Sequence, residues 1–269
     1  MTNGYEPRPY WEDTLAAGFD ESGAAHPNLP LSFNRFLYRS VRASTDAILR
    51  ANRVDPHEVL DVGVGTGIWL DFWRARRVKR LAGVDLTEIA ISRARLRYPD
   101  VELEQVDVGS GSIPFAPVDL VSAMNVLLHV VDPDAFTRAL RTLRAAVRDG
   151  GWLLAMEPVA VRAARLQPGA SAAVRTLDEW RAELGAAGFE LVDLRPATCV
   201  LANPVDARTQ WQLDALNALW FGVGRIVGPS ERRGALVGSA LYAVDHVCKR
   251  VARVGPSGKL LLARATSRK

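Results

Sequence analysis

The chain has 269 residues, 48% of them hydrophobic and 24% charged, enough to bury a full core as one enlarged domain or two small ones. The net charge of +4 is carried by arginine, since only Lys79, Lys249, Lys259 and Lys269 among the 34 basic residues are lysines; the arginines are dispersed rather than blocked, which argues against a nucleic-acid surface. No apolar run approaches the ~20 residues of a membrane span, and the start, MTNGYEPRPYWED, has no basic-then-apolar signal pattern, so a cytoplasmic protein is expected. Cys199 and Cys248 are too few and too far apart for a disulfide framework or a zinc site and read as buried thiols.

Residues 1–55 carry Tyr5, Tyr10, Trp11, Phe19, Phe33, Phe36 and Tyr38, leading into a helical pattern near 34–52. This aromatic density reads as an N-terminal helical lid, because an aromatic face stabilises a cation and a closed lid excludes water. Packing of the helix onto a sheet accounts for most of the rings, which leaves Tyr10, Trp11 and Tyr38 as the candidate lid contacts. The stretch VLDVGVGTGIWL then runs from an apolar strand ending in Asp61 through Gly63, Gly65 and Gly67 into an amphipathic helix. Glycines at such a strand-to-helix turn let the backbone approach a ligand where a Cβ would intrude. Their spacing is one residue shorter than that of the dinucleotide fingerprint, so a pyrophosphate is not the first ligand expected.

Arg80 to Asp85, RLAGVD, reads as a second strand ending in an acid that can accept from ribose hydroxyls, and VELEQVDV as a third closing on Asp107. A fourth, VDLVSA, leads into MNVLLHVVDPDAF, which contains Asn125 and His129. Asp132 and Pro133 open a helix over 133–148, closed by Gly150 and Gly151. Its apolar positions Phe136, Leu140, Leu143 and Val147 leave Arg138, Arg141, Arg144 and Arg148 on a solvated face. A fifth strand over 151–157 ends in Glu157, Thr176 and Glu179 form a capping box before Trp180, and sixth and seventh strands are expected over 189–197 and 259–265. The alternation is that of a doubly wound α/β sheet. Between the last two strands, 203–257 holds two helical patterns, one through Leu213, Leu216, Trp220 and Val223 and one through Val237, Ala240, Leu241, Val244, Cys248 and Val251, with LWFGVGRIVG between them. That insertion is apolar enough to cover an acceptor pocket or to form a homodimer interface, with core packing as the plainer alternative.

As an ordered set, the glycine loop, Asp85 and Asp107 resemble the class I S-adenosylmethionine-dependent methyltransferases, over Glu58 to about Pro196 plus the final strand. In looser form FDESGAAHPNLPLSFNRFLYR, NVLLHVVDPDAFTRAL, ANPVDAR and GPSGKLLLAR look like small-molecule methyltransferases of bacterial natural-product and surface-glycan gene clusters. The resemblance implies a seven-stranded Rossmann-like sheet whose last strand inserts antiparallel beside the sixth. It divides the chain into a core of 56–202 and 258–269, a lid of 1–55 and an insertion of 203–257. It also implies S-adenosylmethionine as cofactor, S-adenosylhomocysteine as product, and a cofactor site of Asp61, Gly63, Gly65, Gly67, Asp85, Leu86, Asp107, Val108 and Asn125, to which the aromatic reading of the lid adds Tyr10, Trp11 and Tyr38. In that site Asp85 holds the ribose and Asp107 accepts from the adenine amino group.

The implied reaction is an in-line displacement at the methyl carbon, in which positioning supplies much of the catalysis. A hydroxyl acceptor needs a base, and an imidazole suits neutral pH; His129 is the first candidate, Glu157 and His26 weaker ones. No acidic cluster resembles a catechol-type metal site, so no metal dependence is expected. O-methylation of a sugar or hydroxylated secondary metabolite ranks first, N-methylation second and C-methylation third. A non-catalytic S-adenosylmethionine-binding regulator stays in view, as does a nicotinamide-dependent oxidoreductase, although the longer glycine spacing and a Tyr-x-x-x-Lys site are both missing.

Overall fold

The computed structural model describes residues 5–19, 26, 28–167, 169–252 and 254–267. The strands of its main sheet are β1 Glu58–Val62, β2 Arg80–Asp85, β3 Glu102–Gln105, β4 Val118–Met124, β5 Val147–Glu157, β6 Phe189–Pro196 and β7 Lys259–Ala265. They form one sheet in the order β3-β2-β1-β4-β5-β7-β6. All neighbours from β3 to β5 run parallel, while β7 runs antiparallel to both β5 and β6. The helices are α1 Pro7–Ala17, α2 Leu31–Ala51, α3 Ile68–Ala75, α4 Glu88–Arg97, α5 Pro133–Ala146, α6 Leu177–Ala187, α7 Gln210–Val227 and α8 Glu231–Val251.

Alternation along the strands feeds two cores. Leu60, Val121, Leu261 and Ala263 pack with Phe136, Leu140 and Leu143 of α5 and Trp180 of α6. Their neighbours Val59, Leu120, Leu260 and Leu262 pack with Ile48 of α2, Trp69 and Trp73 of α3, and Ile91 of α4. This is the period of two that a sheet covered on both faces requires. A third cluster joins Phe33 of α2 to Trp220 and Val227 of α7, with Val237 and Leu241 of α8 against it.

Several boundaries differ from expectation. The α5 helix ends at Ala146, because Val147 already pairs with Val118 across the sheet; Gly150 lies inside β5 at φ +77°. Arg144, expected on a solvated face, is buried. Its Nε donates to the Gly188 carbonyl at 3.1 Å and its guanidinium also reaches the Val147 carbonyl, Asp149 and the Thr266 carbonyl. The segment expected to link the two insertion helices is helical: α7 continues through Gly222 and Gly224 to Val227 and stops at Gly228, φ +51°. The Thr176–Glu179 capping box and the Asp132 cap of α5 form as expected.

The insertion seats on α2. At Gly234 a Cβ would lie 2.5 Å from Pro30 Cγ and at Gly238 2.8 Å from Phe36 Cδ2, so α8 approaches α2 more closely than a side chain permits. The Glu231 carboxylate accepts from Leu31 and Ser32 N–H at 3.1 and 2.8 Å, capping α2 from the insertion. Among the described residues, no helix is long and apolar enough to cross a membrane.

Candidate active site

Strand order reverses between β1 and β4, and in an open parallel sheet the crevice at the carboxyl ends of such strands is where ligands bind. A cavity of about 850 Å³ lies there. Its walls come from the ends of β1, β2 and β4, the segment after β3, the start of α5, and α1.

The glycine loop is pinned from below. Gly63 and Val64 N–H donate to the Val84 carbonyl at 2.8 and 3.2 Å. Gly63 and Gly65 line the cavity at φ +74° and +49°, and a Cβ on Gly63 would run into Val126 Cγ2. Gly67 does not line the cavity. At φ +86° it receives the ring of Tyr98, whose Oη donates to its carbonyl at 3.1 Å, so it sets the packing of α3 on α4.

Asp61 is also absent from the wall. It is buried at the end of β1, opposite Ser122 in the β1–β4 register, and its carboxylate oxygens and the Ser122 hydroxyl make no hydrogen bond within 3.5 Å among the described residues. Burial pushes the Asp61 carboxyl well above the ordinary range; the facing Ser122 hydroxyl opposes the shift and the charge of Asp85 adds to it.

Asp85 and Leu86 line the cavity at the end of β2. Asp85 Oδ2 accepts from Gly65 N–H at 2.9 Å, while Oδ1 accepts from Thr87 N–H and Oγ1 at 2.9 and 2.7 Å. Burial raises its pKa against the pull of these donors. Asp107 and Val108 line the next section of wall. Asp107 organises its own turn, with Gly109 N–H on Oδ1 at 2.8 Å and Ser110 Oγ on Oδ2 at 2.9 Å.

After β4, Asn125 takes φ +60°, rare for a residue with a side chain, and its N–H donates to the Met156 carbonyl at 2.8 Å. This kink turns the chain into a short 3-10 helix, Leu127–His129, gripped from both polarities. Glu157 accepts from Leu127 and Leu128 N–H, each at 2.8 Å, and Arg175 donates to the Leu127 and Val130 carbonyls at 3.2 and 2.5 Å. The Arg175 guanidinium also stacks 3.5 Å over Phe136. Glu157 is therefore a support of the turn, not a group on the cavity wall. Burial pushes its carboxyl up to about 8, opposed by the backbone donors and Arg175.

His129, which the turn presents, does line the cavity. Its Nδ1 lies 2.7 Å from the Ser171 carbonyl. A carbonyl only accepts, so Nδ1 carries the proton and Nε2 is left with the lone pair. Burial lowers the imidazole pKa below its ordinary value.

The α1 helix covers this region. Trp11 lies edge-on to His129 with ring centroids 4.7 Å apart, and Leu15 is buried against the cavity. Glu12 fastens the helix, accepting from Glu88 and Ile89 N–H of α4 at 2.6 and 3.3 Å. The other lid candidates lie elsewhere: Tyr10 is 46% exposed and packs on Tyr5 and Trp11, and Tyr38 is half-buried on α2. Neither lines the cavity. His26 is also away from it, packed edge-on against Trp220 with Nδ1 buried and unpaired among the described residues. No described residue of 203–257 lines the cavity, so cover comes from α1 rather than from the insertion.

Sequence reasoning missed Glu12, Arg175 and Arg138. Arg138, expected on a purely solvated face, borders the cavity and donates from Nε to the Gly109 carbonyl at 2.9 Å. Among the described residues no group of three or more His, Cys, Asp or Glu side chains is placed to hold a metal ion.

A family model described as a methyltransferase domain matches residues 33–194. A probable S-adenosylmethionine-dependent methyltransferase of Mycobacterium tuberculosis is 34% identical over 97 residues, which are 36% of this chain and 35% of that protein. A ubiquinone biosynthesis O-methyltransferase of Albidiferax ferrireducens is 34% identical over 102 residues, 36% of this chain and 39% of that protein. The chain thus spans little more than a third of the length of these relatives. The solved structure of StiE O-MT superposes with a TM-score of 0.50 at 19% identity, over 88% of this chain and 75% of that one, a likeness of fold.

Proposed function

Because the chain belongs to the methyltransferase-domain family, we propose that it binds S-adenosylmethionine in this cavity and methylates a hydroxyl of a small-molecule acceptor, with His129 as the base. The observation that carries the reading is that the glycine loop, Asp85, Asp107 and a His129 held in one tautomer all border a single cavity under α1.

The residues present fit the cofactor. Gly63 and Gly65 keep Cβ atoms out of its path, and Asp107 has acceptor capacity left for the adenine amino group. Asp85 is the ribose partner through its remaining lone pair on Oδ2. When bound, S-adenosylmethionine supplies a methyl group on a positively charged sulfur.

The chain's own residues then have four tasks. Asn125 and the Glu157–Arg175 grip set the position of the turn, the Ser171 carbonyl holds the proton on Nδ1, and Nε2 of His129 takes the acceptor's proton. Trp11 and Leu15 keep water from the reacting centre.

Calorimetry of the protein with S-adenosylmethionine, S-adenosylhomocysteine and NADH tests the assignment. Binding of the first two alone is expected, whereas binding of NADH alone overturns it. His129→Ala is expected to cut turnover while leaving S-adenosylhomocysteine affinity within about twofold; retained turnover points to an amine acceptor or another base.

A further inference from the structure

Beyond the cofactor loops, the cavity continues under α1, and that part has a different chemical character. Pro7, Trp11 and Leu15 line it together with Val130, Val131 and Ala170. The charged wall residues outside the cofactor loops, Glu6, Arg8, Asp132 and Arg138, are all exposed. Two of them are also engaged, since Asp132 Oδ1 accepts from Ala135 N–H at 2.7 Å and Arg138 donates to the Gly109 carbonyl. Among the described wall residues outside the cofactor loops, the polar side chains that are not exposed are His129 and Tyr5; the Tyr5 hydroxyl is buried without a hydrogen-bond partner among the described residues although Trp11 approaches it.

We propose that the acceptor is a flat, largely apolar hydroxyaryl compound and not a sugar, bound beneath α1 with one face on Trp11 and its hydroxyl at His129. The proposal rests on the methyl-transfer reading above and names the substrate class of that same site.

Three physical arguments support it. A sugar carries a hydroxyl on nearly every ring carbon, and each one buried without a partner costs the desolvation of a polar group. Two interior polar groups satisfy an aryl ring with one or two substituents; they do not satisfy a pyranose. Second, Trp11 and His129 meet edge-on at 77°, so the indole stands as a wall beside the imidazole, and aromatic rings stack or meet edge-to-face on such walls. Third, an aryl hydroxyl has a pKa near ~10, as in tyrosine, whereas an aliphatic alcohol is far less acidic. A buried imidazole of lowered basicity is matched to the more acidic proton.

The test titrates the full chain, saturated with S-adenosylhomocysteine, with 2-naphthol and separately with methyl glucopyranoside by calorimetry. Saturable binding of 2-naphthol and none of the glucoside is expected. Trp11→Ala should weaken 2-naphthol at least fivefold and Trp11→Phe less than twofold, each variant being titrated at saturating S-adenosylhomocysteine. Saturable binding of the glucoside, or no saturable binding of 2-naphthol, overturns the acceptor class and leaves the methyl-transfer reading standing. Failure of S-adenosylhomocysteine to bind overturns that reading and this proposal with it.

Discussion

A carboxylate offers about four acceptor sites, and in Asp85 three are taken by Gly65 N–H and by the Thr87 N–H and hydroxyl. One lone pair on Oδ2 remains. A ribose therefore gains one charge-assisted hydrogen bond without disturbing the loop and a second only by displacing an internal donor. Asp85→Ala should weaken S-adenosylmethionine binding by roughly 1.5–3 kcal/mol, read by calorimetry, and unchanged affinity would remove Asp85 from the ribose site. For His129 the sign of the pH dependence follows from burial. An imidazole acts as a base only when neutral, and a lowered pKa keeps it neutral to lower pH. The rate should therefore be flat through neutral pH and fall on acidification at a midpoint below the ordinary ~6.5 of histidine, and His129→Gln should abolish that limb. A midpoint above the ordinary value would assign the limb to another group.

The Leu127–His129 turn shows how a short element is fixed by groups that never touch the ligand. Three residues of 3-10 helix have poor hydrogen-bond geometry and little intrinsic stability. Glu157 takes the N–H groups of Leu127 and Leu128, Arg175 the carbonyls of Leu127 and Val130, and Ala173 N–H adds a bond to the Leu128 carbonyl at 2.8 Å. The segment around 170–175 is thus both strap and tautomer lock, since it also contributes the Ser171 carbonyl. Arg175→Met removes two charge-assisted bonds while keeping a stem over Phe136. It should cost roughly 1–3 kcal/mol in urea unfolding and lower turnover more than S-adenosylhomocysteine affinity. Equal losses in both would mean that the turn holds cofactor and base alike.

Across the molecule, the insertion stabilises the fold from outside the cavity. Asp245 of α8, fully buried, accepts from the Ser40 hydroxyl of α2 and from Val200 N–H at 2.9 Å, and pairs with Lys249. A second buried node, Asp206, accepts from Arg162 N–H and from Lys259 Nζ of β7, both at 3.0 Å. It ties the connections after β5 and β6 to the last strand. Asp206→Ala would leave the Lys259 ammonium buried and unpaired, and a loss of about 3–5 kcal/mol is expected from chemical denaturation. A loss below 1 kcal/mol would show that water or relaxation compensates.

Strand ends and turn signals were legible because they are local. A period of two, a glycine run and an acid after an apolar strand are each written within a few residues, and parallel strands bring all such ends to one edge of the sheet. That is why Gly63, Asp85, Asp107, Asn125 and His129 could be named in advance and stand around one cavity. Residue type alone misled where the direction of a side chain mattered. His26 and Tyr38 are suitable groups on the wrong surface, Glu157 points into the protein beneath the turn, and Arg138 and Arg144 lie about 120° apart on α5 rather than on one solvated face, so one borders the site and the other is buried. The residues themselves thus specified the order of elements and the cofactor loop, through short-range backbone preference and periodicity. Which groups α1 covers, that the insertion lies on α2, and that Arg175 reaches the base's turn followed from packing between segments far apart in the chain, a many-body outcome that no local spacing encodes.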